Sequence, residues 1–505
     1  MTGKAGPQRL LVANRGEIAL RIFRACRDLE IETVAVFSDA DRAAPHVAAA
    51  DYAARLGPAP ARESYLSIPA VLDAAKKTGA RLIHPGYGFL AENAEFARSC
   101  EEAGLLFVGP PSSAIEAMGE KTQARRRMQE AGVPIVPGLT RPAASVGELE
   151  AFAAESGYPI LLKASAGGGG KGMRSVDSKG ELAGAFERVC AEARAFFKDG
   201  AVYAEKKIER PRHIEVQVVG DARGKVIAVG ERECSLQRRH QKVVEECPSP
   251  VVDPGLRERL SSAAVAAARA VEYRSCGTVE FLLAPDGSFY FLEMNTRLQV
   301  EHPVTEEVWG VDLATEMIRI ALGEPLSIDP ARLLPRGHAI ECRIYAEDPR
   351  RGFAPSPGRI EALRLPEGPG VRNDVGVEGG AVVPIDYDSL LGKLIVHGPG
   401  RSAAIARLAR ALSEYEVAGV ETTLPLFRKL VSDPEFRDAR FDVQWLDRRL
   451  ADGLLSDSEP TSDDAALAAL TLAAQSSRTQ DGESPAPSSL WRSTARREGM
   501  RGSSS

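Results

Sequence analysis

Residues 159–172, Pro159-Ile-Leu-Leu-Lys-Ala-Ser-Ala-Gly-Gly-Gly-Gly-Lys-Gly172, place a glycine cluster directly after a short apolar strand. Glycines have no side chains, so their backbone N–H groups can close over an anion, and Lys163 and Lys171 add positive charge. The spacing differs from Gly-x-x-x-x-Gly-Lys-Ser/Thr, because Met173 stands where the hydroxyl residue would be. The stretch therefore predicts a polyphosphate-binding loop outside the P-loop class, with a flexible linker as the open alternative.

The N-terminal part of the chain alternates apolar strands with amphipathic helices. Strands are predicted over 10–14, 31–37 and 81–84, and a helix over 68–75. Strands that alternate with helices indicate a parallel, doubly wound sheet. The first strand is followed by Ala-Asn-Arg-Gly at 13–16 rather than Gly-x-Gly-x-x-Gly, which disfavours a dinucleotide-binding domain.

The rest of the chain divides into further segments by its patterning. A basic helix is predicted over 121–131, and residues 203–300 are predicted to be mainly strands. A third region, over 338–448, opens with a strand and ends with helical periodicity. Residues 451–505 are rich in serine and alanine and carry too little apolar surface for a core of their own.

Length, charge and cysteine usage narrow the class of protein. A chain of 505 residues suggests about three domains of roughly 150 residues each. The net charge of −6 argues against a protein that coats nucleic acid or an anionic membrane. Seven scattered cysteines without a Cys-x-x-Cys pair disfavour a zinc ribbon or a disulfide framework. The sequence contains neither a signal peptide nor an apolar run of about 18 residues, so we expect a cytoplasmic protein.

Two carboxylates and an amide lie on predicted strands downstream of the glycine cluster. Glu280 belongs to one strand, and Glu293 and Asn295 lie two residues apart on the next, so that they face the same side. Oxygen ligands of these types are the ones that Mg²⁺ takes alongside phosphate oxygens. The pattern predicts a metal site, with an ordinary solvated sheet face as the alternative.

The run that follows contains a cation and a carboxylate suited to a small anion. Arg297 can hold a planar oxyanion through two parallel hydrogen bonds, and Glu301 can act on it as a general base. A surface ion pair is the alternative. The basic run 237–242 precedes Glu245 and Glu246 and lacks aromatic residues, which favours phosphate contact in a cleft over nucleic-acid binding.

Four blocks of the sequence, in order and spacing, carry a resemblance to a known family. They are 13–19, 84–90, 237–242 and 293–306, of which the last is Glu-Met-Asn-Thr-Arg-Leu-Gln-Val-Glu-His-Pro-Val-Thr-Glu. Over about residues 8–450 the chain resembles biotin carboxylase, the ATP-grasp component of biotin-dependent carboxylases.

The resemblance implies a multidomain fold of α/β and α+β domains. A Rossmann-like N-terminal domain is expected at 1–120, and an ATP-grasp domain at 121–337 with a mobile lid at about 135–205. A C-terminal biotin carboxylase domain is expected at 338–450. Residues 451–505 are expected to be a disordered tail or linker.

The resemblance also implies roles for individual residues. The positions that match nucleotide-binding residues are Lys121, Lys163, Gly169, Gly170, Glu205, Lys206, Ile208, His213, Gln237, His240, Glu280 and Glu293. The positions that match metal ligands are Glu280, Glu293 and Asn295, and those that match bicarbonate contacts are Lys242, Arg297, Gln299, Val300 and Glu301. Among the catalytic residues, which include Lys242 and Arg297, Glu301 is expected to deprotonate bicarbonate and Arg343 to stabilise the biotin enolate. Tyr87 is expected to lie near the biotin ring.

The implied reaction is the carboxylation of biotin by bicarbonate through carboxyphosphate, with ATP and two Mg²⁺ (or Mn²⁺) ions. No Ala-Met-Lys-Met element occurs in the chain, so biotin is expected to arrive on a separate biotin carboxyl carrier protein and to pass its carboxyl group to a carboxyltransferase. A homodimer is expected, within a carboxylase such as the acetyl-CoA carboxylase of fatty acid biosynthesis. Two alternatives stay open: another ATP-grasp carboxylate ligase, and a non-catalytic nucleotide-binding scaffold.

Overall fold

The computed structural model describes residues 8–165 and 172–456, and the elements named below lie within them. The N-terminal region contains strands β1 (Arg9–Val12), β2 (Glu32–Ser38), β3 (Tyr52–Gly57), β4 (Leu82–His84) and β5 (Leu106–Phe107). Its helices are α1 (Gly16–Asp28), α2 (Pro45–Ala49), α3 (Ile68–Thr78), α4 (Ala94–Glu102) and α5 (Ser112–Gly119). The strands pair in parallel in the order β3-β2-β1-β4-β5.

Helices cover both faces of this parallel sheet. Leu10 of β1 packs with Ile18 of α1 on one face, and Leu11 packs with Val71 of α3 and Phe96 of α4 on the other. Successive residues of a strand point to opposite faces, so a continuous apolar run such as β1 is what a sheet buried on both sides requires. The predicted doubly wound sheet is confirmed.

The central region begins with α6 (Lys121–Glu130) and continues into a small antiparallel sheet flanked by two helices. These elements are α7 (Val146–Ser156), β6 (Ile160–Ala164), β7 (Met173–Val176), α8 (Lys179–Phe197) and β8 (Val202–Lys206). The strand order is β7-β6-β8. The glycine cluster falls at the β6-to-β7 connection, and Gly169, Gly170 and Lys171 lie outside the described residues.

A long antiparallel sheet follows, and it positions most of the residues discussed below. Its order is β13-β12-β9-β10-β11-β14-β21-β19. The strands are β9 (Arg212–Gly220), β10 (Val226–Arg238), β11 (Gln241–Cys247), β12 (Ser275–Leu283), β13 (Phe289–Asn295), β14 (His338–Tyr345), β19 (Val371–Val375) and β21 (Leu390–Gly398). Because β11 pairs with β14, the sheet runs across the boundary expected at 337/338.

The remaining elements pack around this sheet or edge it. The helices are α9 (Pro254–Arg269), α10 (His302–Trp309), α11 (Leu313–Ala321), α12 (Arg401–Glu414), α13 (Leu424–Leu430), α14 (Pro434–Arg437) and α15 (Trp445–Ala451). The short strands are β15 (Glu347–Asp348), β16 (Ala354–Pro355), β17 (Gly358–Arg359), β18 (Ala362–Arg364), β20 (Val382–Val383) and β22 (Glu416–Ala418). Short 3₁₀ turns occupy Asp39–Asp41, Ala61–Glu63, Pro330–Arg332 and Pro349–Arg351.

The prediction that residues 203–300 are mainly strands agrees with the structure, but helix α9 interrupts them and was not predicted. The side chain of Asp253 accepts a hydrogen bond from the backbone N–H of Leu256, and Pro254 occupies the first helical turn. An acidic cap followed by proline and an alanine-rich segment is a helix-start signal, and the strand patterns on either side obscured it. The helix packs against β9 and β10 through Leu256 and Leu260.

Arg232, in the middle of β10, is expected to be among the largest single contributors to stability. Its side chain is fully buried and donates to Gln217 and Thr305 at 2.8 Å and to Thr278 at 2.9 Å, besides pairing with Glu215. Replacing it with methionine leaves a buried carboxylate with one cation fewer. We expect Arg232→Met to lower the free energy of unfolding by about 3–5 kcal/mol in urea titrations.

The matched control for this variant is Arg126→Met on α6. Arg126 is exposed and lies 3.8 Å from Glu130 one helical turn away. An exposed pair of this kind contributes at most about 1 kcal/mol. Equal stability changes in the two variants would contradict the structural importance assigned to the buried arginine.

Candidate active site

The long antiparallel sheet brings charged residues from distant parts of the chain onto neighbouring strands. Glu215 lies on β9, Lys242 on β11, Glu280 on β12 and Arg343 on β14, and Glu301 immediately precedes α10. The glutamates and Arg343 are buried, and Lys242 is half-buried. Buried charges need close partners of opposite sign, and these five residues provide partners for one another.

The ammonium group of Lys242 lies at the centre of this cluster. Its Nζ donates to Glu280 at 2.8 Å and to Glu301 at 2.6 Å, and it also contacts Glu215. Burial by itself would lower the pKa of Lys242, but the three carboxylates raise it well above its ordinary value. The lysine is therefore protonated and offsets part of the negative charge of the three carboxylates.

Glu301 is fully buried between two cations. Its Oε1 accepts from Lys242, and its Oε2 accepts from Arg343 Nη2 at 2.8 Å. Burial raises the pKa of Glu301, but Lys242 and then Arg343 lower it well below its ordinary value. The side chain is an ionised carboxylate, and it can accept a proton once those cations are drawn towards a bound anion.

A second buried carboxylate, for which the sequence analysis proposed no role, holds Arg343. The Nε of Arg343 donates to Glu245 Oε1 at 2.6 Å, while Nη2 contacts both Glu245 and Glu301. Burial raises the pKa of Glu245 to about 7, although Arg343 opposes the shift and Glu301 adds to it. The signal in the sequence was the pair Glu245-Glu246, which follows two valines inside β11.

Arg297 joins the predicted metal residues to the predicted bicarbonate residues. Its Nη2 donates to Asn295 Oδ1 at 3.1 Å, and its Nη1 donates to Gln299 Oε1 at 3.1 Å. Its Nε lies 3.0 Å from a carboxylate oxygen of Glu92, a residue that the sequence analysis did not select. These contacts fix the plane of the guanidinium beside Gln299.

The three predicted metal ligands lie together at the β13 end of the sheet. Glu280 and Glu293 are cross-strand neighbours, and the amide of Asn295 donates to Glu280 Oε1 at 2.7 Å. Glu280 also lies 3.0 Å from His213 Nε2. Burial raises the pKa of Glu280, but Lys242 and His213 lower it well below its ordinary value, so the carboxylate is ionised.

Buried ion pairs join two of the predicted nucleotide-binding residues near the small sheet. Lys163 on β6 and Arg125 on α6 each lie 2.5 Å from an oxygen of Glu205 on β8. Burial raises the pKa of Glu205, but Lys163 and Arg125 lower it below its ordinary value. Lys121, at the start of α6, is also affected by burial: burial lowers its pKa, and the charge of Glu293 opposes that shift.

The other predicted nucleotide-binding residues occupy more varied positions. The Nζ of Lys206 donates to the carbonyls of Gly157 and Tyr158 at 3.0 and 3.1 Å, and Ile208 is half-buried. The ring of His213 is hydrogen-bonded to Gln237 at 3.0 Å. His240 is exposed at the turn between β10 and β11.

Tyr87, the residue expected near the biotin ring, follows β4. It is half-buried, its hydroxyl donates to Glu17 of α1, and the Lys393 ammonium lies 5.9 Å from its ring centre. The backbone carbonyl of Tyr87 also accepts from Asn14 at 2.7 Å.

Three family models match successive parts of the chain. Biotin carboxylase, N-terminal domain, matches residues 7–115; Carbamoyl-phosphate synthase L chain, ATP binding domain, matches 120–329; and Biotin carboxylase C-terminal domain matches 341–448. The biotin carboxylase of Nostoc sp. is 52% identical over 438 residues, which are 87% of this chain and 98% of that protein. The chain belongs to the biotin carboxylase family.

Further relatives with other names are also similar to the chain. A pyruvate carboxylase subunit of Methanothermobacter thermautotrophicus is 51% identical over 440 residues, 87% of this chain and 89% of that protein. The biotin carboxylase domain dimer of Hydrogenobacter thermophilus 2-oxoglutarate carboxylase, solved with MgADP, ADP and bicarbonate, has a TM-score of 0.85 at 46% identity. The match covers 90% of this chain and 99% of that one. The predicted family, its ATP-grasp architecture and its class, the ATP-dependent ligases, are confirmed.

The donor chemistry of the three predicted metal ligands fits Mg²⁺. Glu280 is held ionised, Glu293 is a second carboxylate across the strand pair, and Asn295 offers an amide oxygen. These are hard oxygen ligands of the kind that Mg²⁺ shares with phosphate groups.

Among the described residues we find no helix with the length and hydropathy needed to span a bilayer.

Proposed function

We propose that this chain carboxylates biotin with bicarbonate at the expense of ATP, as the first half-reaction of a biotin-dependent carboxylase. The observation that carries the proposal is the position of Glu301 between Lys242 and Arg343. Because Glu301 contacts both cations, it can deprotonate a bicarbonate bound at Lys242. It also stays next to a biotin bound at Arg343. Family membership supports the same reaction.

Bicarbonate is proposed to bind between Arg297, Gln299 and Lys242. Glu301 accepts its proton, and the resulting oxygen attacks the γ-phosphorus of ATP, so that the bond to ADP breaks and carboxyphosphate forms. Mg²⁺, held by Glu280, Glu293 and Asn295, would supply charge neutralisation at the phosphate oxygens. Its binding is proposed from the ligand chemistry of those side chains.

Biotin is proposed to bind on the Arg343 and Tyr87 side of the cluster. Carboxyphosphate breaks into CO₂ and phosphate, the phosphate removes the ureido N–H proton, and the nitrogen forms a bond to CO₂. The negative charge that develops on the ureido oxygen then lies beside the guanidinium of Arg343. Because Glu245 and Glu301 already orient that guanidinium, little reorganisation accompanies the reaction.

The ion pairs around Glu301 make its basicity depend on what Lys242 and Arg343 contact. Lys242 and Arg343 hold the pKa of Glu301 well below its ordinary value, which makes it a weak base. A bound bicarbonate attracts Lys242, and a bound biotin attracts Arg343. Each shift removes a positive charge from Glu301 and strengthens it as a proton acceptor.

The nucleotide is proposed to bind at Lys121, Lys163, Glu205, Lys206, Ile208, His213, Gln237 and His240, together with Gly169 and Gly170, which lie outside the described residues. Lys163 is the residue whose removal is easiest to interpret, because Arg125 still neutralises Glu205 in its absence. One charge-assisted hydrogen bond to a phosphate is worth about 1.5–3 kcal/mol. We therefore expect Lys163→Met to raise the KM for ATP about 10–100-fold in steady-state assays.

Lys179→Met is the matched control for that variant. Lys179 is exposed at the start of α8, where its ammonium lies 3.2 Å from Glu150. We expect its KM for ATP to stay within about twofold of the unmodified chain. An unchanged KM in Lys163→Met would remove Lys163 from the nucleotide site.

Biotin is proposed to arrive on a biotin carboxyl carrier protein, and a carboxyltransferase is proposed to take the carboxyl group onward. An acetyl-CoA carboxylase of fatty acid biosynthesis is the system expected from the sequence, while named relatives include pyruvate and 2-oxoglutarate carboxylases. A homodimer is proposed because one of the solved relatives is a dimer. All seven cysteines are free and buried, which supports the proposal of a cytoplasmic enzyme.

The deciding experiment is ATP hydrolysis by the purified chain with bicarbonate and free biotin supplied separately and together. Hydrolysis that requires both substrates supports the proposal. Hydrolysis that requires an amino acid or an amine would favour another ATP-grasp ligase, and ATP binding without turnover would favour a nucleotide-binding scaffold. The carrier protein and carboxyltransferase that co-purify would indicate the final acceptor.

A further inference from the structure

Lys393, on β21, is a fully buried lysine that none of the steps above uses. In the sheet it lies directly opposite Arg343 of β14 and opposite Asp374 of β19. Residues that face each other on adjacent strands point to the same side of the sheet, so Lys393 shares a face with Arg343. Burial lowers the pKa of Lys393, but Glu17, Glu341 and Asp374 raise it above its ordinary value, so the ammonium is charged.

The shortest described contact of this ammonium is with a backbone carbonyl rather than with a carboxylate. Its Nζ donates to the carbonyl oxygen of Val300 at 2.7 Å, while the nearest oxygens of Glu17 and Asp374 lie at 3.3 and 3.9 Å. Asp374 is separately paired with Arg372 at 2.8 Å. A buried ammonium that donates its shortest hydrogen bond to a peptide carbonyl holds that carbonyl in place, because the protein interior offers few other hydrogen-bond partners to either group.

The peptide group in question joins Val300 to Glu301. A peptide unit is planar and trans, so fixing the Val300 carbonyl also fixes the direction of the Glu301 N–H on its opposite edge. Both residues belong to the proposed bicarbonate site. The orientation of this segment therefore depends on a side chain more than 90 residues further along the chain.

A second series of contacts connects Lys393 with Tyr87 in the proposed biotin site. Glu17 contacts the Lys393 ammonium through Oε1, and the same oxygen accepts from the hydroxyl of Tyr87. Glu17 is buried on α1, so it joins a strand of the C-terminal region to the residue that follows β4. One ammonium thus connects Val300 on one side with Tyr87 on the other.

We propose that Lys393 is a positioning residue that sets the Val300–Glu301 peptide and the Tyr87 side chain relative to each other, and so couples the bicarbonate and biotin sites. The inference rests on the proposed function, since it concerns residues of that site. In this arrangement Glu17 affects the biotin side only. It contacts Tyr87 and Lys393 directly, whereas it reaches Val300 only through Lys393.

The test compares Lys393→Met and Glu17→Gln with the unmodified chain, with KM measured separately for bicarbonate, free biotin and ATP. We expect Lys393→Met to raise the KM values for bicarbonate and biotin at least about tenfold, with the KM for ATP within about twofold. Glu17→Gln is expected to raise the KM for biotin about threefold or more and to leave that for bicarbonate nearly unchanged. Lys429→Met, at an exposed position on α13, is the control.

The split among the three KM values separates positioning from a general role in folding. A purely structural residue would lower the melting temperature and the amount of active enzyme without favouring two substrates over the third, and that result would overturn the inference. If Lys393→Met does not fold, Lys393→Arg and Glu17→Gln supply the same comparison. An unmodified chain without bicarbonate- and biotin-dependent hydrolysis would overturn the proposed function, whereas unchanged KM values in an active background overturn this inference alone.

Discussion

Replacement of Glu301 by glutamine is expected to lower bicarbonate-dependent ATP hydrolysis by about 10²–10⁴-fold, the usual contribution of a positioned general base. Glutamine keeps the shape of the side chain and can still accept hydrogen bonds, but it cannot take a proton. Lys242 keeps Glu215 and Glu280 as partners, and Arg343 keeps Glu245. The variant should therefore fold and bind ATP nearly as the unmodified chain does.

The measurement is kcat for bicarbonate-dependent ADP formation, alongside the affinity for ATP in an equilibrium binding assay. Glu324→Gln, at an exposed position after α11, is the matched control and should leave both quantities unchanged. Loss of ATP affinity in parallel with kcat would indicate that the substitution damages the cluster as a whole. Unchanged turnover would remove Glu301 from the proposed mechanism.

Much of the fold was predictable because it is encoded locally. The apolar runs at β1, β2, β4 and β14 are continuous or alternating over strand length, and the predicted positions agree with the structure to within about two residues. The pairing of β11 with β14 was not predictable in this way, because Glu245 and Glu341 meet across almost a hundred intervening residues. Nothing in either strand specifies that partner.

The candidate site likewise has features that the local sequence predicts and features that depend on long-range contacts. Glu280, Glu293 and Asn295 were selected from the sequence because polar residues on strands stand out against apolar neighbours, and Arg297 and Glu301 because a cation and a carboxylate follow those strands directly. Their convergence is what the structure adds.

Glu92, Arg125 and Glu245 were not selected, because each matters only through a partner far away in the chain: Arg297, Glu205 and Arg343 respectively. A charged residue read alone has no visible partner, so its ordinary interpretation is a solvated side chain. In the folded chain each of these residues is close to a residue of opposite charge, which a single sequence position does not reveal. The interpretation as a solvated side chain therefore changes to that of an ion-paired residue.

Replacement of Arg343 by glutamine is expected to lower biotin-dependent turnover by about 10²–10³-fold, the scale on which a preorganised donor to a developing oxyanion contributes. The guanidinium is buried and held on two sides by Glu245 and Glu301. Glutamine removes the positive charge from the place where the ureido oxygen would become negative. ATP affinity is expected to change little, because the proposed nucleotide contacts lie on other residues.

Arg343→Lys and Arg364→Gln make this prediction specific. Lysine keeps the charge but cannot contact both Glu245 and Glu301 through a planar fork, so we expect turnover between those of the unmodified chain and Arg343→Gln. Arg364 is exposed on β18, and its replacement should have no effect. Removal of the Arg343 charge should also raise the pKa of Glu301, since one of the cations that lower it is gone.

The acid limb of the pH–rate profile of Arg343→Gln should therefore move to higher pH than in the unmodified chain. Glu301 in that variant still contacts Lys242, so it remains ionised at neutral pH and the loss of rate belongs to the biotin step. A fall in kcat with the acid limb unmoved would contradict the ion pair between Arg343 and Glu301 as a determinant of basicity. Biotin-dependent turnover equal to that of the unmodified chain would contradict the placement of the enolate beside Arg343.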